Sequence, residues 1–355
     1  MESSFNQRSC LSHYIKSGKS KKNDNGDYVL YGATGIIGHT NDVYHEDSLI
    51  LAARVGSIGN VSLRHGKFGA SDNVLVVKPN EKSDIGYVYH LLANKVNWKS
   101  LSNGTSQLVV SAKKVEDYKV YVANFEEQQK IAAFFTALDE QISIATRKCQ
   151  LFKFLKKGIA NSFFEDCALD CFKKIGTFAG ATPSTSNKEY WDGGAIPWMS
   201  SGEVNNRYIR SVEKSITSLG FDKTSTKMVK RGSTLIALAG QGKTRGKVAF
   251  TEIELCTNQS LAAIECDRNE VNDKYLFFFL ETQYENLRAL STGDGGRGGL
   301  NLFIINNFEV PVISLHEQER IVSVLELIDK KIELAEMKLN VAERLKKAFM
   351  QQMFV

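Results

Sequence analysis

Proline and paired cysteine are what this sequence has least of. Its four prolines (79, 183, 197, 311) are never adjacent. The Asn/Asp-Pro-Pro-aromatic segment that amino-methyltransferases use to hold an extruded base is therefore absent. A Pro-Cys nucleophile pair and a Gly-x-Ser-x-Gly elbow are absent too. The six cysteines (Cys10, Cys149, Cys167, Cys171, Cys256, Cys266) form no C-x-x-C pair, and the six histidines no H-x-x-x-H. A zinc site or a disulfide framework has little support, and reduced thiols in the cytoplasm are the expectation. The longest strongly apolar run, Tyr275 to Leu280, is far shorter than the ~20 residues of a membrane span. MESSFNQRSC lacks a basic stretch leading into an apolar one, so no secretory signal is read.

What is present is ordinary globular material. Hydrophobic residues make up 43% and charged residues 24% of 355, which argues for a folded chain of about two domains. The net charge of +5 is unevenly placed: +4 over residues 1–124, −1 over 125–170, +2 over 171–314 and 0 over 315–355. Lys223, Lys227, Lys230, Arg231, Lys243, Arg245 and Lys247 follow one another with no acid before Glu252. Such a run favours a polyanionic partner, although a solvated surface explains many charge runs.

The strongest signal is internal duplication. Asn124-Phe-Glu-Glu-Gln-Gln-Lys-Ile131 matches Ser314-Leu-His-Glu-Gln-Glu-Arg-Ile321 at an offset of 190. Each opens with a capping box, Asn124 with Glu127 and Ser314 with Glu317, so a helix is predicted to start at both. Apolar positions then recur at spacings of three and four. They are Ile131, Phe135, Leu138, Ile142, Ala145, Cys149, Phe152, Leu155, Ile159 and Phe163 in the first copy. The second has Ile321, Leu325, Ile328, Ile332, Ala335, Leu339, Ala342, Leu345, Phe349 and Met353. Forty residues make a rod of roughly 60 Å. Glu126, Glu127, Lys130 and Asp139 on one helix, and Glu326, Lys330, Lys331 and Lys338 on the other, make the remaining surface polar. Only a narrow seam is left to bury, and a two-helix coiled coil buries it.

The globular parts repeat less cleanly. Asp47–Ala53 resembles Gly232–Leu238, Asp72–Val77 resembles Asn258–Ile264, and Gly86–Leu92 resembles Lys274–Leu280, at offsets near 185 to 188. Ser17-Gly-Lys-Ser aligns with Ala179-Gly-Ala-Thr at only 162, which implies an insertion of about 23 residues near Ser186 to Val229. Strands are expected at Ser48–Arg54, Val74–Val77, Ser233–Leu238, Lys247–Ile253 and Phe308–Ile313, and helices at Ile85–Lys95 and Asn272–Arg288. The fold class is α+β. The expected domains are 1–124, 125–166 (a central long helix), 167–314 and 315–355 (a C-terminal long helix).

Ala237-Leu-Ala-Gly-Gln-Gly-Lys-Thr244 fits a relaxed phosphate-loop pattern, which keeps a P-loop ATPase acting on nucleic acid as the alternative reading. A nucleotide site needs a helix directly after Lys-Thr. Arg245-Gly-Lys-Val-Ala-Phe-Thr reads instead as a strand, so a basic Gly-rich turn facing a polyanion fits better. Arg54-Val-Gly-Ser-Ile-Gly-Asn-Val61 is its counterpart in the first domain, where Arg54 and Ser57 could meet a phosphate or base edge; a plain hairpin turn is the competing explanation. Asn103-Gly-Thr-Ser-Gln107 and Thr292–Gly299 are matching Gly-rich loops. The second carries Arg297 alone among glycines, a candidate groove or phosphate contact.

These features together resemble the specificity (S) subunit of type I restriction–modification systems. The residues that carry the resemblance are Lys16-Ser-Gly-Lys19, Tyr31-Gly-Ala-Thr-Gly-Ile-Ile-Gly38, Ala53-Arg-Val-Gly-Ser-Ile-Gly-Asn60, Gly240–Lys247, Glu127-Gln128 and Glu317-Gln318. The first helix start lacks the family's preceding prolines, and the second keeps only Pro311. The resemblance implies two target recognition domains, each reading half of a bipartite, asymmetric double-stranded DNA site. It implies two long helices, packed antiparallel, that separate them and fix the unread gap. Two modification subunits would bring S-adenosylmethionine-dependent adenine methylation, and restriction subunits ATP- and Mg-dependent translocation and cleavage. This chain would be non-catalytic, with no cofactor or metal of its own. Carried onto these positions, the DNA-contact candidates are Lys16, Lys19, Lys21, Arg54, Ser57, Arg64, Lys67, Lys227, Lys230, Lys243, Thr244, Arg245, Lys247 and Arg297. The candidates for helix pairing or subunit contact are Glu127, Gln128, Ile131, Leu138, Ile142, Glu317, Gln318, Ile321, Ile328 and Ile332.

Overall fold

A computed structural model describes residues 7–10, 14–104, 108–165, 167, 169–171, 175–240, 243–291, 299–311 and 313–354. The chain divides into two compact units, residues 1–147 with 335–355, and residues 148–334. The division falls inside both long helices, Phe125–Phe164 and Leu315–Met353.

In the first unit, four antiparallel strands lie in the order Tyr14–Ser17, Val74–Lys78, Ser48–Ala53, Val61–His65. The central strands are apolar from Leu49 to Ala53 and from Val74 to Val77 because both faces are covered there. Ile50, Ala52, Leu75 and Val77 pack toward Tyr87, Val88, Leu91 and Leu92 of the helix Ile85–Asn94. Leu49, Leu51, Val74 and Val76 pack the other way, with Phe68 and Ala70. The two-residue alternation of a strand assigns odd and even positions to different cores. A second, three-stranded sheet orders Gly35–Thr40, Tyr28–Gly32 and Gly69–Ala70, the last pair parallel.

The second unit repeats this plan. Strands Ile175–Ala179, Leu261–Cys266, Thr234–Ala237 and Val248–Thr251 take the same antiparallel order. Ile236, Ala262 and Ile264 face the helix Asp273–Thr282, while Leu235, Ala237, Leu261 and Ala263 face the opposite core. A two-stranded ribbon precedes each long helix: Gln7–Cys10 with Lys119–Val122, and Leu169–Cys171 with Glu309–Pro311. Ile196–Met199 and Lys214–Ile216 are not an insertion: they take the places of Tyr28–Gly32 and Gly35–Thr40 in the second sheet, with Ile196–Met199 parallel to Leu255–Thr257 as Tyr28–Gly32 is to Gly69–Ala70. The added residues are spread between these strands and bring Tyr208–Ile209, which joins the main sheet parallel to Val248–Thr251, and Met228–Val229. The helix expected over Asn272–Arg288 is two, Asp273–Thr282 and Tyr284–Ala289. At Gln283 (φ −90°, ψ 10°) the backbone leaves helical geometry and its N–H reaches back only to Leu280 O.

Within each unit the two long helices pack against each other antiparallel. In the first unit Ile131 and Phe135 share a core with Phe349, Met350 and Phe354, and the Phe134 and Phe349 rings meet edge to face at 5.1 Å. In the second, Ala160 and Phe164 share a core with Ile321, Val322 and Leu325. Two sequence expectations need correction. Leu155 and Leu345 are 42% and 45% exposed. Alternating steps of four and three, continued from Phe152 and Ala342, land on Lys156 and Lys346, and these turn inward instead. Nor is the outer surface polar nearly all round. Phe134, Ile144, Met337 and Val341 in the first unit, and Leu151, Phe154, Val324, Leu327 and Leu334 in the second, are exposed.

Candidate nucleic-acid interface

The close approach of two backbones shapes the start of each domain. A Cβ on Gly18 would lie 2.2 Å from Ser71 O, and one on Gly180 would lie 2.1 Å from Thr257 O. Only glycine fits there. Beside Gly18, the Ser17 hydroxyl accepts a hydrogen bond from the Arg54 guanidinium, whose Nε donates to Val110 O at 3.1 Å. Arg54 therefore opens the hairpin turn Arg54–Asn60 as a braced, half-buried side chain, with Ser57 exposed at the tip. Arg64 lies 4.4 Å over the Tyr31 ring. Lys16, Lys19, Lys21 and Lys67 are exposed, with Lys16 4.5 Å over Tyr14.

The matching turn of the second domain joins Thr234–Ala237 to Val248–Thr251. Tyr284 Oη donates to Lys243 O at 2.9 Å, and Lys247 Nζ donates to Asn205 Oδ1 at 2.6 Å. Thr244 and Arg245 are half-buried and Lys243 is exposed. Residues 243–247 run through a turn directly into the strand, with no helix following Lys243-Thr244. The phosphate-loop pattern thus lacks the helix N-terminus that would hold a nucleotide. The acid-free run is also not one patch. Gly232 N–H bonds to Thr251 O at one end of the hairpin, and Ala237 N–H to Lys247 O at the other. Lys230 and Arg231 therefore sit opposite Lys243, Arg245 and Lys247. Lys230 pairs with Glu265 at 3.1 Å, and Lys227 lies 5.6 Å over Phe178. Arg297, and much of both Gly-rich loops, lie outside the described residues.

The helix starts carry a second arrangement. Glu127 N–H donates to Asn124 Oδ1 at 2.9 Å, and Glu317 N–H to Ser314 Oγ at 3.3 Å, as the capping residues require. The next residues are buried. Gln128 Oε1 accepts from Asp84 N–H at 3.0 Å while its Nε2 donates to Ala123 O at 2.8 Å. Gln318 Oε1 accepts from Asn272 N–H at 2.7 Å while its Nε2 donates to Ile313 O and Glu270 O, both at 2.9 Å. Of the other pairing candidates, Ile131 and Ile321 are buried, and Leu138, Ile142, Ile328 and Ile332 half-buried.

Sequence reasoning missed an ionic network. Arg207 Nη2 lies 2.8 Å from Glu281 Oε2 and 2.7 Å from Asp329 Oδ2. Lys156 Nζ is 2.9 Å from both carboxylates, and Tyr208 Oη donates to Asp329 at 2.8 Å. Burial works to raise the Asp329 carboxyl, but Arg207 and Lys156 outweigh it and hold it below the ordinary value. Arg207 has φ 61°, alone in the left-handed region among the described non-glycine residues. Lys156, Arg207 and Glu281 of the network, with Lys247, border one cleft of about 500 Å³. In the first unit the equivalent positions are Asp139 and Lys346, 2.5 Å apart. Asp139 lies 3.9 Å from Nδ1 of buried His90. Burial, helped by Lys346, pushes His90 down to about 4 against Asp139 and Asp84. The missed signal was available: Asp139/Asp329 and Lys156/Lys346 are charged pairs at the same offset of 190.

Among the described residues no group of three or more His, Cys, Asp or Glu could hold a metal ion, and no helix is long and apolar enough to cross a membrane. Cys256 and Cys266 are free thiols, and the Cys167 thiol donates to Phe163 O at 3.2 Å.

A family model described as type I restriction modification DNA specificity domain matches residues 13–151 and 170–344. A type I restriction enzyme specificity subunit of Escherichia coli is 28% identical over 156 residues, 43% of this chain and 38% of that protein. The MjaIX specificity subunit of Methanocaldococcus jannaschii is 30% identical over 189 residues, 52% of this chain and 42% of that one. The matches thus span about two fifths of these relatives' length. The crystal structure of a type I restriction–modification S subunit from M. genitalium aligns over 98% of this chain and 96% of its own, with TM-score 0.73 and 15% identity. That similarity establishes the fold: two similar α+β domains and two long helices.

Proposed function

The chain belongs to the type I restriction modification DNA specificity family, and from that premise we propose that it is the DNA-reading subunit of a type I restriction–modification enzyme. Each α+β module reads one half of a bipartite, asymmetric duplex site, and the long helices fix the unread gap. The observation that carries this reading is the repetition of one module, with the same sheet order and the same glutamine geometry at its helix. Two copies of one reader on a single chain address two short sequences, and tethering them converts two weak contacts into one strong event.

The interface is built from exposed lysines, which set register on phosphates, and from the turns Arg54–Asn60 and Lys243–Lys247. Lys16, Lys19, Lys21, Lys67 and Ser57 serve the first half-site. Lys243, Thr244, Arg245, Lys247 and Arg297 serve the second, while Lys227 over Phe178 and Lys230 on Glu265 lie away from that turn and outside the interface; Arg54 and Arg64 brace the first turn and its neighbouring hairpin. The chain is non-catalytic and acts in the cytoplasm. Two modification subunits dock on the exposed apolar residues of the long helices, which recur at the offset of 190: Phe134/Val324, Ile144/Leu334 and Leu151/Val341. They supply S-adenosylmethionine chemistry, and restriction subunits, where present, supply ATP and Mg.

A gel-shift competition with the assembled chain and modification subunits tests this at moderate salt. Retention of one bipartite duplex against excess random DNA is expected; equal competition by random DNA would refute the reading.

A further inference from the structure

We propose that Gln128 and Gln318 are positioning residues that fix the angle of each reading module on its helix, and so set how strictly the gap between half-sites is measured. This rests on the bipartite reading above. The geometry is the same in both units. Each glutamine sits four residues after the helix cap, is only 3% or 2% exposed, and uses both ends of its amide. The oxygen takes the backbone N–H of Asp84 or Asn272, the capping residue of the module's own helix. The nitrogen donates a hydrogen bond to the carbonyl just before the long helix's cap, Ala123 or Ile313. One planar side chain therefore binds the first turn of the module's helix to the first turn of the long helix.

Only an amide can do this. A carboxylate at the same place would aim a second acceptor at the Ala123 or Ile313 carbonyl, and an apolar isostere would leave two buried backbone groups without partners. That explains why Gln, and not a second Glu, follows Glu127 and Glu317. Neither glutamine is exposed, so neither can touch a duplex. Their effect on reading must run through the pose of the module. The helix Ile85–Asn94 packs directly on the sheet whose hairpin carries Arg54–Asn60, and Asp273–Thr282 on the sheet whose hairpin carries Lys243–Lys247. A tilt at the joint moves each turn along the duplex while its local chemistry stays intact.

The test uses the complete complex with modification subunits and the bipartite duplex that the wild-type complex selects from a random library. Binding is measured to that duplex and to versions with the gap changed by one or two base pairs. Gln128→Glu, Gln318→Glu and the uncharged Gln128→Met are compared, each checked for helix content and for co-purification with its partners. The variants are expected to lose gap discrimination by about two- to tenfold, the range set by one buried hydrogen bond, while base preference within each half-site is retained. Affinity that falls equally for every gap, or unchanged discrimination in folded variants, would overturn the inference. Failure of the wild-type complex to select a bipartite site would instead overturn the function on which it rests.

Discussion

His90 and Phe278 stand at equivalent places in the two modules, and the difference makes one unit sensitive to acid. An unfolded histidine titrates near 6.5, whereas burial holds His90 at about 4 in the fold. Between those values the unfolded chain binds the extra proton, so this contribution is complete above pH 6.5 and is lost as pH falls toward 4. The loss approaches about 3 kcal/mol for the first unit. His90→Phe should flatten the dependence, and thermal melts at pH 4.5 and 7.5 measure it; an unchanged slope would place the acid sensitivity elsewhere. The charged pairs differ in depth as well. Lys156 and Asp329 side chains are 14% and 12% exposed, against 26% and 32% for Lys346 and Asp139. Asp329→Asn leaves Arg207 and Lys156 with Glu281 alone, and should cost about 2–3 kcal/mol in denaturant unfolding. Asp139→Asn should cost clearly less, and equal losses would contradict the burial argument.

At the scale of the element, the helix starts were the most legible part of the sequence. Asn124 and Ser314 accept from the Glu127 and Glu317 amides as their positions demand, because N-capping is local chemistry. Asn124→Ala and Ser314→Ala should each cost about 1 kcal/mol, read from urea midpoints. The seam was legible until Phe152, where apolar character pointed to Leu155 and helix geometry to Lys156. Geometry prevailed because Asp329 waits on the opposite helix, and a residue-by-residue reading of one helix cannot see its partner's charge. The exposed apolar residues escape a sequence reading for the complementary reason: they are interleaved with charges on the outer faces and share no single three-and-four spacing with the seam. Leu327→Ser with Leu334→Ser should leave helix content unchanged by circular dichroism and reduce co-purification of modification subunits. Undiminished co-purification would remove the outer faces from the docking account.

At the scale of the molecule, duplication made the architecture readable. Offsets of 162 and then 185 to 190 bracketed the added residues but not their distribution: Ile196–Met199 and Lys214–Ile216 repeat strands of the first unit, and the additions fall between them, as with Tyr208–Ile209. The candidate interface was less readable. The acid-free run from Lys223 to Lys247 divides between opposite ends of one hairpin, since adjacency in sequence is reversed when a strand folds back. Arg207 gave no signal, because its partners Glu281 and Asp329 lie 74 and 122 residues away.

The central claim, that one chain reads a duplex at two places held apart by its helices, is tested most directly by lengthening them. Seven residues inserted after Lys148 and seven after Lys338 add two helical turns, about 10 Å, to the rods. Selection of sites from a random library by the complete complex should then return the same two half-sites with a gap longer by up to about three base pairs. The original gap, recovered unchanged by a folded and assembled variant, would contradict the account.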